Sequence, residues 1–221
     1  MITKEKFDIL SDPRFETASW AIWSNEFNKS GCIEGQDGQP RKYFIKNLSN
    51  LKNNVVFTAL NRSGNEDIVN QEFIHSMKNF HSIGHRGDGL LKDTLEGLTN
   101  LLGGYMTDIS DEIEGNSSIV TINENKTWKQ FIEQLTLLGS DKVYIICFGN
   151  DVFNAFKNIL YIRKHEENKY GVKIFKTNWK GISLNFYRIL HYSYFVNGRG
   201  NHRINEFKPQ LAFVNSEINN E

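Results

Sequence analysis

Two short apolar runs without a charged side chain limit what this chain can fold into. They are residues 55–60 (VVFTAL) and 143–148 (VYIICF). A run of this length and composition is typical of a strand that is buried on both faces, as strands of parallel sheets are. Amphipathic helical patterns follow each run. We therefore predict an α/β protein of three layers, α/β/α, around a central and mostly parallel sheet.

The other elements follow from the same periodicity. Leucines recur at helical spacing over residues 88–102 before Gly103 and Gly104, and a second apolar helical face covers residues 126–138 before Gly139. A third helix follows Asn150, which we expect to act as its cap together with Asp151. Further strands are predicted at 105–110, 172–176 and 184–190, with a tail that is helical as far as Lys208-Pro209 allows.

The chain is expected to form one compact unit with an appendage. Residues 1–50 are predicted to be an N-terminal accessory segment packed on the core, in which SWAIWS forms a short strand. Residues 51–221 are predicted to form the main α/β domain.

Charge and cysteine content exclude several classes of protein. The 26 Lys plus Arg balance the 26 Asp plus Glu, which excludes a strongly basic domain that binds nucleic acid through bulk charge. The 2 cysteines, Cys32 and Cys147, exclude a disulfide framework and a four-cysteine metal centre. No run reaches about 18 apolar residues. We expect a cytoplasmic monomer that needs no membrane, metal or cofactor.

Polar residues follow four predicted strands. The junctions are Asn61-Arg62-Ser63-Gly64-Asn65 after VVFTAL, Tyr105-Met106-Thr107-Asp108, Asn150-Asp151 after CFG, and His191-Tyr192-Ser193-Tyr194 after FYRIL. Ligands of open α/β sheets bind at the carboxyl ends of the strands. We therefore expect these four junctions to lie together at one edge of the sheet.

The order of these motifs resembles the uracil-DNA glycosylase superfamily, in particular its mismatch-specific thymine/uracil branch. The shared pattern is (G/A)-L-N-x-S-G after a strand, then Y-M-T-D, then G-N-D before a helix, then H-x-S after a strand, and it covers most of residues 53–214. The resemblance implies a glycosylase-like α/β fold and hydrolysis of an N-glycosidic bond in DNA, which leaves an abasic site.

The resemblance also implies roles for single residues. Asn61 occupies the place of the asparagine that positions the attacking water, and Asp67 is a second candidate for that role. His191 matches the histidine that hydrogen-bonds the base carbonyl. Ser193 would contact phosphate, and Tyr194 or Phe195 would enter the base stack as a wedge. We expect the neighbouring Tyr192 to be exposed as well.

Other side chains complete the predicted site. The chemistry requires a donor near the departing base, an aromatic surface for the flipped ring and positive charge near the backbone. The predicted substrate-binding residues are Arg62, Ser63, Gly64, Asn65, Phe80 and Asn150. The predicted DNA-binding residues are Ser193, Tyr194, Phe195, Arg199, His202 and Arg203.

Two departures from the family pattern leave the target base open. Arg62 and Tyr192 stand where the family usually has proline. The target is a damaged, mismatched or modified pyrimidine: uracil or thymine, or a modified cytosine of phage DNA in an antiviral role. Two alternatives are a non-catalytic module that senses nucleic acid or nucleotides, and an N-glycosidase of free nucleotides.

Each candidate also has a structural interpretation. Asn61 alone would close a turn after a strand, His191 alone would be a buried histidine bonded to a carbonyl, and Phe80 would be a core aromatic. Asp108 is expected to brace its loop rather than to take part in chemistry. The functional interpretation gains weight when Asn61 and His191 both end strands of one sheet.

Overall fold

A seven-stranded mixed sheet forms the centre of the protein. The computed structural model describes residues 1–15, 17–25, 27, 40–61, 77, 79–81, 86–110, 112, 119–192 and 204–220. In chain order its strands are β1 (Ser19–Trp20), β2 (Val55–Ala59), β3 (Tyr105–Asp108), β4 (Lys142–Phe148), β5 (Glu166–Glu167), β6 (Lys173–Trp179) and β7 (Ile182–Ile189).

The strands lie in the order β1-β3-β2-β4-β7-β6-β5. Strand β2 pairs in parallel with β3 and β4, and β4 pairs in parallel with β7. Strands β1, β6 and β5 are antiparallel additions at the two edges. An α/β protein whose sheet is parallel in its core is therefore confirmed, and both charge-free runs form central strands.

Helices cover both faces of the sheet. In the described part of the chain they are α1 (Lys4–Leu10), α2 (Pro40–Lys46), α3 (Arg86–Leu95), α4 (Glu124–Leu138), α5 (Asn150–Ile159) and α6 (Ile204–Asn220). Alternate residues of each core strand point to opposite faces. Val55 and Phe57 belong to one apolar cluster with α3 and α6, whereas Val56 belongs to a second cluster with α1, α4 and α5.

Two predicted helix ends were wrong. Helix α3 ends at Leu95 rather than Leu102, because Gly97 adopts a φ of +87° there and the chain continues in turns to Gly103. Helix α6 continues through Pro209 to Asn220. A proline inside a helix costs about 3 kcal/mol. Here the full burial of Phe207, Leu211 and Val214 offsets that cost.

The N-terminal segment contributes to the core of the sheet. Strand β1 pairs with β3, and Trp20 packs edge-to-face on Tyr105 with ring centroids 5.0 Å apart. Phe7 and Leu10 of α1 are fully buried in the same apolar cluster as α4 and α5. The segment therefore shares one core with the strands that follow it.

No helix in the described ranges is long and apolar enough to cross a membrane.

Candidate functional site

The carboxyl ends of β3, β2, β4 and β7 meet at one edge of the sheet, because these four strands are neighbours and parallel. The chain leaves them at Asp108, Asn61, Gly149 and His191, respectively. Three predicted site residues, Asn61, Asn150 and His191, are thereby brought to the same edge. We call this edge, defined by Asn61, Asp108, Gly149, Asn150 and His191, the carboxyl-edge site.

The sheet has a topological switch point between β2 and β4. The first helix described after β2 is α3, whose Leu91 and Leu95 pack on one face of the sheet. Helix α5 follows β4 directly, and its Val152 and Phe156 pack on the opposite face. A crevice opens where chains leave neighbouring strands toward opposite faces, and ligands of α/β proteins bind there. Asn61 and Gly149 lie on the two sides of this switch point.

Asn61 is held at the end of a strand whose pairing continues past its last residue. The Ile109 amide donates to the Ala59 carbonyl at 3.0 Å, and the Ser110 amide donates to the Leu60 carbonyl at 2.8 Å. Asn61 itself is partly buried. Its backbone position is therefore fixed by β3, which suits a side chain that must orient a reactant.

His191 is fixed by contacts on both sides of its backbone. The Leu190 amide donates to Oε1 of Gln210 at 2.8 Å, and the Gly149 amide donates to the Ile189 carbonyl at 2.9 Å. The imidazole stacks on Tyr192 with ring centroids 4.8 Å apart. Burial lowers the pKa of His191 from its usual 6.5 to about 4. The ring is therefore neutral at pH 7, with one nitrogen that donates and one that accepts.

Tyr192 is buried, which corrects the expectation that it would be exposed. Its side chain is 6% exposed, and its ring meets Phe148 edge-on with centroids 5.0 Å apart. Its hydroxyl hydrogen-bonds to the carboxylate of Asp88 in α3. Burial, and then the charges of Asp88 and Asp108, raise the pKa of Tyr192 well above its usual value. Tyr192 thus joins the end of β7 to α3.

Phe80 lies in the core rather than on an open surface. It is 6% exposed and belongs to the apolar cluster that contains Ala59 and Leu91. Its φ of +65° is unusual for a bulky residue. In this conformation Phe80 is a core aromatic and does not present an open surface on which a ring could stack.

Asn150 and Asp108 occupy the remaining strand ends. The helix cap before α5 is Gly149, with a φ of +93°, and Asn150 is the exposed first residue of the helix, so Asn150 does not act as the expected cap. Asp108 is 8% exposed, and its Oδ2 accepts from Nδ2 of Asn79 at 2.8 Å. The Asp108 amide donates to Oγ1 of Thr17 at 3.2 Å. Asp108 therefore braces the end of β3, as expected.

The remaining predicted site residues lie outside the described residues. They are Arg62, Ser63, Gly64, Asn65, Asp67, Ser193, Tyr194, Phe195, Arg199, His202 and Arg203. Sequence reasoning missed Asp88 and Gln210, which hold the chain on either side of His191. Neither has a local signal, because each acts on a residue more than 15 positions away.

A polar cavity of about 50 Å³ lies beside the end of β3, on the α4 side of the sheet. Its lining includes Arg14, Thr17, Asp108, Ser110 and Gln134. At about 10–15 Å³ for each water, a cavity of this size holds a few waters rather than a larger ligand.

Comparison with protein-family models gives no match, and a search of curated proteins gives no significant match either.

Proposed function

We propose that the protein is a monofunctional DNA glycosylase that hydrolyses the N-glycosidic bond of a damaged, mismatched or modified pyrimidine. The observation that carries this proposal is the arrangement of Asn61 and His191 on either side of the carboxyl end of β4. Two strand spacings separate the ends of β2 and β7, or about 10 Å. A flat ring above Gly149 would lie within reach of both side chains.

The two side chains suit the two ends of the bond that breaks. Cleavage leaves positive charge on the sugar and negative charge on the departing base. The neutral His191 imidazole donates its N–H to the base carbonyl oxygen and so stabilises the leaving anion. It acts as a hydrogen-bond donor and not as a protonated imidazolium. The Asn61 amide orients the water that attacks the sugar carbon. No metal or cofactor enters this scheme.

The substrate base must leave the duplex before these side chains can reach it. Flipping costs a few kcal/mol and is repaid by stacking and hydrogen bonding in the enzyme. Gly149 and His191 are neighbours at this edge, since a Cβ added at Gly149 would be in van der Waals contact with the Cβ of His191, at 3.8 Å. In the proposal, the flipped ring rests over this glycine.

The test is base release from a panel of duplexes. Each duplex carries one candidate, namely uracil, mismatched thymine or a modified cytosine, and abasic sites are detected as alkali-labile breaks. We expect breaks with at least one base. A known glycosylase that cuts its own substrate under the same conditions validates the assay. DNA binding without breaks on any duplex would favour the sensing module, and release from free nucleotides alone would favour the nucleotide N-glycosidase.

A further inference from the structure

Positive charge is concentrated in one part of this neutral chain. Between residues 157 and 180 there are seven Lys or Arg and two Glu, although Lys plus Arg and Asp plus Glu are 26 each over the whole sequence. The structure places this segment at the β5 edge of the sheet. We call this part of the surface the β5-edge surface; its cations are Lys157, Arg163, Lys164, Lys169 and Lys173, and His165 lies among them.

The basic side chains of this surface lie close together. Nζ of Lys157 is 3.1 Å from Nδ1 of His165. Desolvation, and then the charges of Lys157 and Lys173, lower the pKa of His165. The charge of Glu167 acts in the opposite direction and raises that pKa. The carboxylate of Glu167 also lies near Gly171, where an added Cβ would be 3.9 Å from its Oε1. Helix α5, strand β5 and strand β6 thus bring side chains to one spot on the surface.

Some lysines elsewhere on the protein form ion pairs. Lys4 pairs with Asp8 and Lys92 pairs with Glu96. By contrast, Lys157, Lys164 and Lys173 form no ion pair with any residue that the structure describes. Glu166 and Glu167 are the two carboxylates of this stretch, and Glu167 is the register partner of Lys173. The remaining excess of positive charge costs free energy, which an anionic partner would offset.

The β5-edge surface is continuous with the carboxyl-edge site. Lys173 is the register partner of Arg188, three residues before His191. His165 packs on Phe153, in the first turns of the helix that begins at Asn150. From β7 to β5 the sheet extends by two strand spacings, about 10 Å. Each strand of a duplex carries one phosphate per about 3.4 Å of helix axis, so a stretch of about 10 Å parallel to that axis faces about three phosphates of one strand.

We propose that the β5-edge surface binds the phosphate backbone of DNA whose target base occupies the carboxyl-edge site. The inference rests on the proposed function for the position of that base, but binding can be measured without catalysis. It assigns DNA backbone binding to lysines at the β5 edge of the sheet and on the neighbouring helix α5, in addition to the loops after β2 and β7.

The test is the salt dependence of duplex binding by fluorescence anisotropy over a KCl series. The double variant Lys157→Gln/Lys173→Gln should weaken binding and make the slope of log affinity against log salt shallower by about 2, or about one for each lysine. The control Lys4→Gln/Lys92→Gln removes the same charge from ion-paired positions and should leave the slope near the wild-type value.

The proposal would be overturned if the wild type does not bind DNA, if the slope is unchanged in the first double variant, or if the slope changes equally in both double variants. Binding of anionic lipid vesicles in place of DNA, lost in the same variant, would also overturn it. If the slope changes but no duplex releases a base, the surface stands and the glycosylase proposal fails. If a duplex releases a base but the slope is unchanged, the glycosylase proposal stands and the proposal for the β5-edge surface fails.

Discussion

Two histidines of this protein owe their state to burial. The imidazole of His81 is fully buried; its Nδ1 lies 3.1 Å from Oγ of Ser19, and its Nε2 lies 3.1 Å from the Ile22 carbonyl. Burial lowers the pKa of His81 to about 4, as it does for His191. One of them ties β1 to its neighbours and the other faces the crevice. A neutral imidazole is thus structural in one place and available for chemistry in the other.

The lowered pKa of His81 predicts a pH dependence of stability. Its pKa is about 4 in the folded state and 6.5 when unperturbed, so the unfolded chain binds more protons between these pH values. The stabilisation is therefore complete above pH 6.5 and is lost as the pH falls toward 4, by about 3 kcal/mol for a shift of this size. Urea unfolding from pH 7 to pH 4.5 measures it. His81→Gln should flatten the decline, whereas the exposed His165→Gln should change it little.

The proposed chemistry makes a second prediction for single residues. Asn61→Ala and His191→Ala should each lower the rate of base release by at least about 100-fold, since each removes a group that acts on the transition state. Both variants should remain folded by circular dichroism. Asn158→Ala, at the exposed far end of α5, is the matched control and should keep full activity. Full activity in both site variants would refute their assigned roles.

Among the elements, α6 and β7 are joined by one side chain. Gln210 is 1% exposed; its Oε1 accepts from the Leu190 amide, and its Nε2 donates to the Tyr170 carbonyl at 2.9 Å. It fixes the end of β7 immediately before His191 and also holds the turn between β5 and β6. Helix α6 therefore connects the carboxyl-edge site to the β5-edge surface.

Removing this connection should destabilise the fold and disturb the site. Gln210→Ala leaves the buried Leu190 amide without its acceptor, which costs about 1–3 kcal/mol. We expect that loss in urea unfolding, with a lower kcat for base release because His191 is less well held. Ser216→Ala, at an exposed position of the same helix, should change neither quantity. A normal kcat in Gln210→Ala would show that the tie supports only the fold.

For the whole molecule, the N-terminal segment and the sheet share one core and should unfold together. Phe7 and Trp20 stack with ring centroids 6.5 Å apart, in the apolar cluster that α4 and α5 form against the sheet. The distribution of charge is also a property of the whole molecule. The total charge is zero, but cationic side chains are concentrated at the β5 edge. The balance of charge therefore does not predict how the protein meets an anionic polymer.

Shared burial predicts a single unfolding transition. Phe7→Ala should lower the free energy of unfolding by about 3–5 kcal/mol. Far-UV circular dichroism and tryptophan fluorescence should still report the same midpoint, shifted together. Glu5→Ala, exposed on the same helix, should shift it by less than about 0.5 kcal/mol. An early transition confined to one probe would mean that residues 1–50 fold as a separate unit.

The sequence by itself determined the local elements and the fold class. Charge-free runs and helical spacing are local patterns. The runs predicted β2 and β4, because a strand that is buried on both faces needs apolar side chains on both. The helical spacing predicted α4, and the alternation of the two patterns predicted the α/β class. They also predicted that Asn61 and His191 end strands. The ends of α3 and α6 were missed because Gly97 and the packing around Pro209 outweighed the leucine pattern and the usual effect of proline.

Only the tertiary structure decided what surrounds those residues. It set the strand order that creates the crevice beside β4, buried Tyr192 against Phe148, and brought Gln210 and Asp88 to the two sides of His191. It also gathered Lys157, His165 and Lys173 from three elements. The physical reason is the same in each case: pKa values, burial and charge density depend on neighbours in space, and those neighbours are distant in the chain.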